Sequence, residues 1–307
     1  MTKVLVATVK PFAPKAVEGI RQIAVDAGYE FVLLEKYADQ SDFVAAVADA
    51  DALIIRSDKA TREVIEAGKN LKIIVRAGAG YDNIDLEAAT EKGVVVMNTP
   101  GQNANAVAEL TLGMMVYLAR NSFNGSAGIE LMGKKLGLHA YGNVGRNVAR
   151  IARGFGMETY AFDPYIPKAL IEQDGTHAVD SVEELYETCN YVSLHIPAND
   201  ETRNSINENL LSLMPEHAVL VNTARKEVVN EPDLLKMFAK RSDFYYIADV
   251  APDCKDEIVE KFPGRYFFTP KKMGAQTAEA NTNAGLAAIN QIRDFFEKGE
   301  TRFQVNK

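Results

Sequence analysis

At 307 residues, with 47% of positions hydrophobic, the chain exceeds what one core usually organises, and two folded domains are expected. A formal charge of −8 excludes non-specific attraction to nucleic acid or an anionic membrane, so any anionic ligand must meet a local cluster of cations. Cys189 and Cys254, the only cysteines, lack CxxC or Cys/His spacing, which points away from a disulfide framework and a zinc site; no metal is expected.

The chain starts in a strand-like run with no signal-peptide layout. No later apolar run nears the roughly 20 residues of a membrane span, so the cytoplasm is the expected compartment. Short β-rich runs at 4–9, 31–34, 52–55, 73–77 and 94–97 alternate with helical stretches, among them 15–27 after Pro14 and 85–92 closed by Gly93. Strands alternating with helices through short connections predict a parallel sheet with helices on both faces. A long helical pattern at 105–120 leads to a Gly-, Ser- and Asn-rich segment, 121–133, that reads as a linker. A second α/β series then runs through strands at 135–139, 159–162, 191–194, 219–222, 245–249 and 266–268, and closes in a helix at 278–298.

Within that second series, strand 135–139 meets the turn Ala140-Tyr141-Gly142-Asn143-Val144-Gly145 and a helix over 147–155. This is the dinucleotide fingerprint with alanine in place of its first glycine. Gly142 lets the backbone approach a pyrophosphate, Gly145 lets the helix pack closely on the strand, and the helix N-terminus attracts the phosphates. Asp163 ends the next strand about 20 residues on, where a carboxylate accepts from ribose hydroxyls and repels a 2′-phosphate, so NAD is favoured over NADP. The bland alternative makes Asp163 a turn residue before Pro164.

Three further blocks surround this turn. The first is Arg76-Ala77-Gly78-Ala79-Gly80-Tyr81-Asp82-Asn83-Ile84-Asp85, with Asn98-Thr99-Pro100-Gly101 and Val107-Ala108-Glu109-Leu110. The second is Ser193-Leu194-His195-Ile196-Pro197, with Val221-Asn222-Thr223-Ala224-Arg225. The third is Ala248-Asp249-Val250, with Thr269-Pro270-Lys271-Lys272-Met273-Gly274-Ala275-Gln276-Thr277. In this order they resemble the D-2-hydroxyacid dehydrogenases from Ala52 to about Gly285. The resemblance implies two doubly wound parallel-sheet α/β domains, with a Rossmann nucleotide domain (100–273) inserted into a flavodoxin-like substrate domain made of 1–99 and 274–307. It implies that the amides of Ala77 and Gly78 receive the substrate carboxylate. Ala79, Asn143, Val144, His195, Ile196, Thr223, Ala224, Gly274 and Ala275 would line NAD, with Asp249 facing the nicotinamide side. A homodimer through the nucleotide domain is also implied.

Arg225 matches the family arginine, whose fork binds a carboxylate and polarises the C2 oxygen. Lys226 departs from the usual glycine and reads as a surface residue. Arg56-Ser57-Asp58-Lys59 matches the segment where phosphoglycerate-oxidising members receive the phosphate, which makes Arg56, Ser57 and Lys59 candidates, with Asn103 a further substrate contact; the alternative is a solvated loop.

The family's acid/base histidine and its supporting glutamate fall, by spacing, on Lys272 and Cys254. The two changes agree physically: a lysine has no tautomer to fix, and a carboxylate beside it would raise a pKa that must fall for base catalysis. Lys272 is therefore the expected base, with Lys271 the alternative, His195 a weaker acid/base candidate, and Asp253 or Asp256 able to occupy the vacated glutamate position. The chain resembles short phosphoglycerate-oxidising members with lysine in the histidine position, and its end at Lys307 leaves no room for the regulatory domain of longer ones. The expected reaction is NAD-dependent oxidation of 3-phosphoglycerate at C2, entering serine biosynthesis. The alternatives are reduction of another 2-keto acid, such as hydroxypyruvate or glyoxylate, and an NAD(H)-sensing protein without catalysis.

Overall fold

A strand covered on both faces needs an unbroken apolar run, and the first strand is one: Val4 and Val6 enter one core while Leu5 and Ala7 enter another on the opposite face. The same division holds in the second half of the chain, where Val192 and Leu194 pack on one side of the sheet and Leu136 and Leu138 on the other.

The structure, a computed structural model describing Met1–Asn306, divides into two units. The first comprises Met1–Asn103 and Gln276–Lys307, the second Ala104–Ala275. The breaks thus fall beyond those read at 99/100 and 273/274. The helix Ala104–Ala119 opens the second unit, and the Gly274 amide is bound to Asp249 within that unit.

The first unit holds strands β1 (Lys3–Thr8), β2 (Glu30–Glu35), β3 (Ala52–Ile55), β4 (Ile73–Arg76) and β5 (Val95–Asn98), all parallel, in the order β2-β1-β3-β4-β5. That is the flavodoxin-like order. The returning helix Ala278–Lys298, capped by the Thr277 hydroxyl, buries Ala284, Ala288, Ile289 and Ile292 against Val4, Val6 and Ile20. Beyond it, Val305 donates to Val96 O and the Asn306 side chain bonds Val96 N and Val94 O, which covers the β5 edge.

The second unit holds β6 (Lys135–His139), β7 (Glu158–Phe162), β8 (His177–Ala178), β9 (Tyr191–Leu194), β10 (Val219–Asn222), β11 (Tyr245–Ala248) and β12 (Tyr266–Phe268). Its order, β12-β11-β10-β9-β6-β7-β8, is fully parallel and reverses direction between β6 and β9. In such sheets ligands bind beyond the strands' C-terminal ends at the reversal.

The two-residue β8 escapes a reading based on periodicity. The segment 121–133 lies inside the second unit and so is not a linker between units; the Asn121 amide closes it on Ala127 O. Among the described residues, no helix is long and apolar enough to cross a membrane.

Candidate functional site

The chemistry-bearing residues of the second unit gather at one edge of its sheet, past the ends of β6, β7, β9, β10 and β11. β6 runs into Ala140, whose φ of 85° is a conformation that glycine adopts freely and alanine does not. The turn holds because Ala140 N donates to Phe162 O (2.9 Å) and the buried Tyr141 hydroxyl donates to Thr176 Oγ1 (3.1 Å). A side chain at Gly145 would put its Cβ 2.4 Å from Ala140 O, whereas at Gly142 it would meet nothing within 4 Å. Gly145 is therefore required for close packing, and Gly142 leaves open space over the backbone. The helix Asn143–Gly154 starts at this turn, earlier than the sequence reading, with Gly142 as its cap and Asn143 and Val144 in its first turn. Open space over exposed first-turn amides is what a pyrophosphate needs.

Asp163 stands just past β7. Its Oδ2 accepts from Tyr141 N (2.8 Å) and its Oδ1 from Tyr165 N (2.9 Å), so the carboxylate fastens the turn. Each oxygen keeps a further acceptor site for a ribose hydroxyl.

His195 follows β9 and donates its backbone N–H to His139 O (2.9 Å). Its Nε2 is buried without a hydrogen-bond partner among the described residues. Burial, and then the neighbouring His139, push its pKa down to about 3. An imidazole held neutral in this way is poorly suited to proton exchange near neutrality. Ile196, the next residue, is buried.

β10 delivers Thr223, Ala224 and Arg225. Asn222, buried beneath them, accepts from Ala224 N (2.9 Å) and donates to Arg225 O (2.9 Å), while the Arg225 guanidinium donates back to Ala224 O (3.0 Å). Thr223 is buried against Thr111 (3.4 Å between hydroxyls). Lys226 pairs with Asp253, which occupies one of the two carboxylates considered for the vacated glutamate position.

Asp249 is the most constrained acid of this group, at 1% exposure. Its Oδ1 accepts from Met273 N (2.9 Å) and Thr269 Oγ1 (3.0 Å), and its Oδ2 from Gly274 N (2.8 Å). Three donors from 269–274 surround it, and it anchors the segment carrying Lys272. Lys271 and Lys272 are exposed there, and Ala275 is half-buried.

Cys254 occupies the expected glutamate position, half-buried at the start of the helix Lys255–Lys261. Glu231 Oε1 accepts from Asp253 N and Oε2 from Cys254 N, both at 2.8 Å. Burial, with Glu231 alongside, pushes the Cys254 thiol up to about 12, so it stays protonated.

In the first unit, Arg56 follows β3, half-buried. Its guanidinium donates to Lys10 O (2.9 Å), Pro11 O (2.8 Å) and the Asn281 side chain, and lies 5.0 Å over the Phe12 ring. Ser57 and Lys59 are exposed beside it. Asp58 turns inward and accepts from Val9 N (2.7 Å) and the Tyr37 hydroxyl (2.9 Å). The amides expected to receive a carboxylate are committed elsewhere: Ala77 N donates to Ile55 O and Gly78 N to Arg76 O, each at 2.8 Å. Gly78 is covered by the Arg76 guanidinium, which a Cβ would approach to 1.5 Å. Ala79 is exposed and its carbonyl accepts from the Asn98 side chain (2.6 Å), while Asn103 ends the unit half-buried.

Three residues of these surroundings escaped the sequence reading as site residues: Arg76, visible only as a motif letter, and Glu231 and His139, which no motif marks.

The family model for D-isomer specific 2-hydroxyacid dehydrogenases, catalytic domain, matches residues 4–306. The chain is 37% identical over 271 residues to D-3-phosphoglycerate dehydrogenase of Methanocaldococcus jannaschii, covering 83% of this chain and 51% of that protein. It spans about half the length of the curated D-3-phosphoglycerate dehydrogenases it matches. It is 36% identical to hydroxypyruvate reductase of Thermotoga maritima, covering 86% of this chain and 90% of that one. Among solved structures it is similar to the NAD+-bound 3-phosphoglycerate dehydrogenase of Entamoeba histolytica, with 48% identity, a TM-score of 0.89, and coverage of 100% of this chain and 99% of that chain.

Proposed function

The chain belongs to the D-isomer specific 2-hydroxyacid dehydrogenase family, and from that premise we propose that it is an NAD-dependent dehydrogenase oxidising the C2 hydroxyl of 3-phosphoglycerate. The observation that carries the substrate is Arg56. Among the described residues its guanidinium donates to carbonyl and amide oxygens and makes no salt bridge, with Asp58 acting on it only at longer range, which leaves a half-buried cation on the loop after β3. A dianionic phosphate is the fitting counter-charge, and Ser57 and Lys59 add a hydroxyl and a second cation to it. The E. histolytica and M. jannaschii relatives support the same substrate.

NAD fits the second unit: Gly142 opens the backbone to its pyrophosphate, and Asp163 has acceptor sites left for the adenosine ribose. NAD held there would supply the hydride acceptor for oxidation at C2. The residues of the chain supply the rest. Arg225 holds the C1 carboxylate and draws electron density from the C2 oxygen with the same planar fork. Lys272 Nζ, in its neutral form, takes the C2 hydroxyl proton as the carbon is oxidised. Asp249, through the Met273 and Gly274 amides, sets where that lysine begins.

The experiment is a comparison of 3-phosphoglycerate with unphosphorylated D-glycerate in the wild type and in the double variant Arg56→Ala, Lys59→Ala. The KM for 3-phosphoglycerate should rise by more than about tenfold, since each charge-assisted bond is worth roughly 1.5–3 kcal/mol, while D-glycerate is little affected. Equal losses on both substrates would mean that the loop binds no phosphate. A second reading, reduction of hydroxypyruvate, is favoured by the T. maritima relative, of which the chain covers 90%. It prevails if the wild type turns over unphosphorylated substrate at least as well as the phosphorylated one.

A further inference from the structure

A cavity of about 560 Å³ opens in the second unit at the ends of β6, β7 and β9, lined among others by His139, Phe162, Val182, Ile196, Thr202 and Leu210. Its volume falls within the range of small-molecule sites, and its walls combine apolar side chains with polar and charged ones, Glu183, Glu201 and Asn207 among them. Phe162 directly precedes Asp163 and His139 directly precedes the turn, so the cavity borders the places proposed for the ribose and the pyrophosphate. The flat base of a dinucleotide, continuing from that ribose, would be buried here.

His139 is the unexpected member of this lining. Leu136 and Leu138 of β6 enter the core on one face, while His139 shares the other face with Gly137 and Lys135, at a strand end that a hydrophobic residue would fill equally well. The imidazole is fixed: Nδ1 lies 3.3 Å from the Tyr186 hydroxyl, and the ring stands edge-on to Tyr186 (5.9 Å) and Phe162 (6.4 Å). Tyr186 is fully buried, so the contact persists away from solvent. Burial pushes the His139 pKa down to about 4, against a smaller opposing effect from Asp163, and the ring is neutral at working pH. With Nδ1 engaged by Tyr186, the second ring nitrogen is the ring's remaining polar atom.

We propose that His139 reads the edge of the cofactor's purine through Nε2, making it a base-specificity residue of this chain. The proposal rests on the reading of the second unit as an NAD site. Adenine presents an amino donor and a ring-nitrogen acceptor side by side on one edge. Hypoxanthine presents a carbonyl acceptor and an N–H donor there instead, so both positions invert. A hydrogen-bonding group fixed by Tyr186 cannot serve both bases equally, whichever ring nitrogen carries the proton.

The test is calorimetric binding of NAD and of nicotinamide hypoxanthine dinucleotide to the intact protein, without substrate. Wild type should bind NAD more tightly by roughly 3- to 10-fold, the worth of one net hydrogen bond. His139→Leu should reduce that preference to near unity, mainly by weakening NAD. Tyr186→Phe, which leaves the ring but removes its fixing hydroxyl, should reduce the preference in part and checks the idea independently if the leucine variant folds poorly. If wild type binds both dinucleotides equally, or if folded His139→Leu keeps the wild-type preference, the proposal is wrong while the NAD site stands. If wild type binds neither, the reading of the site itself fails, and this proposal with it.

Discussion

Asp249→Asn is the substitution that probes the architecture most sharply, because its consequences can be worked out bond by bond. The carboxylate accepts from Met273 N (2.9 Å), Thr269 Oγ1 (3.0 Å) and Gly274 N (2.8 Å) at 1% exposure. Asparagine preserves volume and one acceptor oxygen, which can keep the Met273 and Thr269 donors. Its amide nitrogen then faces the Gly274 N–H, donor against donor, in a space closed by Val107. One buried amide left without an acceptor costs about 1–3 kcal/mol, and the remaining bonds lose the strength of an ionised acceptor. Asp249→Ala leaves the Met273 and Gly274 amides unmet, while the Thr269 hydroxyl keeps the Asp249 backbone carbonyl (2.7 Å), and should cost more. The functional effect should exceed the loss of stability in importance, because the anchored segment carries Lys272, and a displacement of about 1 Å in a reacting group can cost on the order of 10²-fold in rate. Urea denaturation followed by fluorescence gives the first quantity, and steady-state kcat beside the NAD dissociation constant gives the second. A variant as stable as wild type with unchanged kcat would refute the anchoring role; a fall in NAD affinity as large as the fall in kcat would mean that Asp249 serves the cofactor directly.

Ala140→Gly should stabilise the protein by about 0.5–1 kcal/mol in urea denaturation, since relief of a left-handed alanine, about 1–2 kcal/mol, outweighs the added chain entropy of glycine, about 0.5–1 kcal/mol. Asp163→Ala should weaken NAD and narrow the gap between NAD and NADP in binding assays, and unchanged selectivity would remove the ribose assignment. Acid should destabilise the fold through His139 and His195: their folded pKa values, about 4 and about 3, lie below the unfolded value near 6.5, so the unfolded chain binds more protons between those limits. Stability therefore holds above about pH 6.5 and declines as pH falls toward 3, and thermal melts of His139→Leu should show a shallower decline than wild type.

The sheets were legible because parallel strands covered on both faces must be apolar at consecutive positions, and residues 4–7, 52–55 and 219–221 satisfy this without interruption. The turn from Ala140 to Gly145 was legible for a related reason, since a backbone packed within 2.4 Å of a would-be Cβ leaves only glycine possible at Gly145. Contacts set by folding were less visible. Nothing local to Ala77 and Gly78 reveals that their amides are used up by Ile55 O and Arg76 O, because a turn's hydrogen bonding depends on its backbone angles and the neighbouring strand. Glu231 sits 23 positions from Cys254 and reaches its amide only because β10 and β11 are adjacent in the sheet. His139 looks like a satisfied core histidine until the cavity beside it is seen. That the partners of the buried Asp249 carboxylate are the Met273 and Gly274 amides follows from the fold alone.

The central claim, that this chain oxidises a phosphorylated 2-hydroxy acid using Lys272 as the proton acceptor, is tested most directly by following NAD reduction with 3-phosphoglycerate across pH in the wild type and in Lys272→Ala. The account predicts wild-type turnover that climbs into the alkaline range as an amine loses its proton, and a kcat lower by roughly 10²–10⁴-fold in the variant with NAD binding nearly intact. Turnover by Lys272→Ala at close to the wild-type rate, or tight NAD binding by wild type with no turnover at any pH, would contradict it.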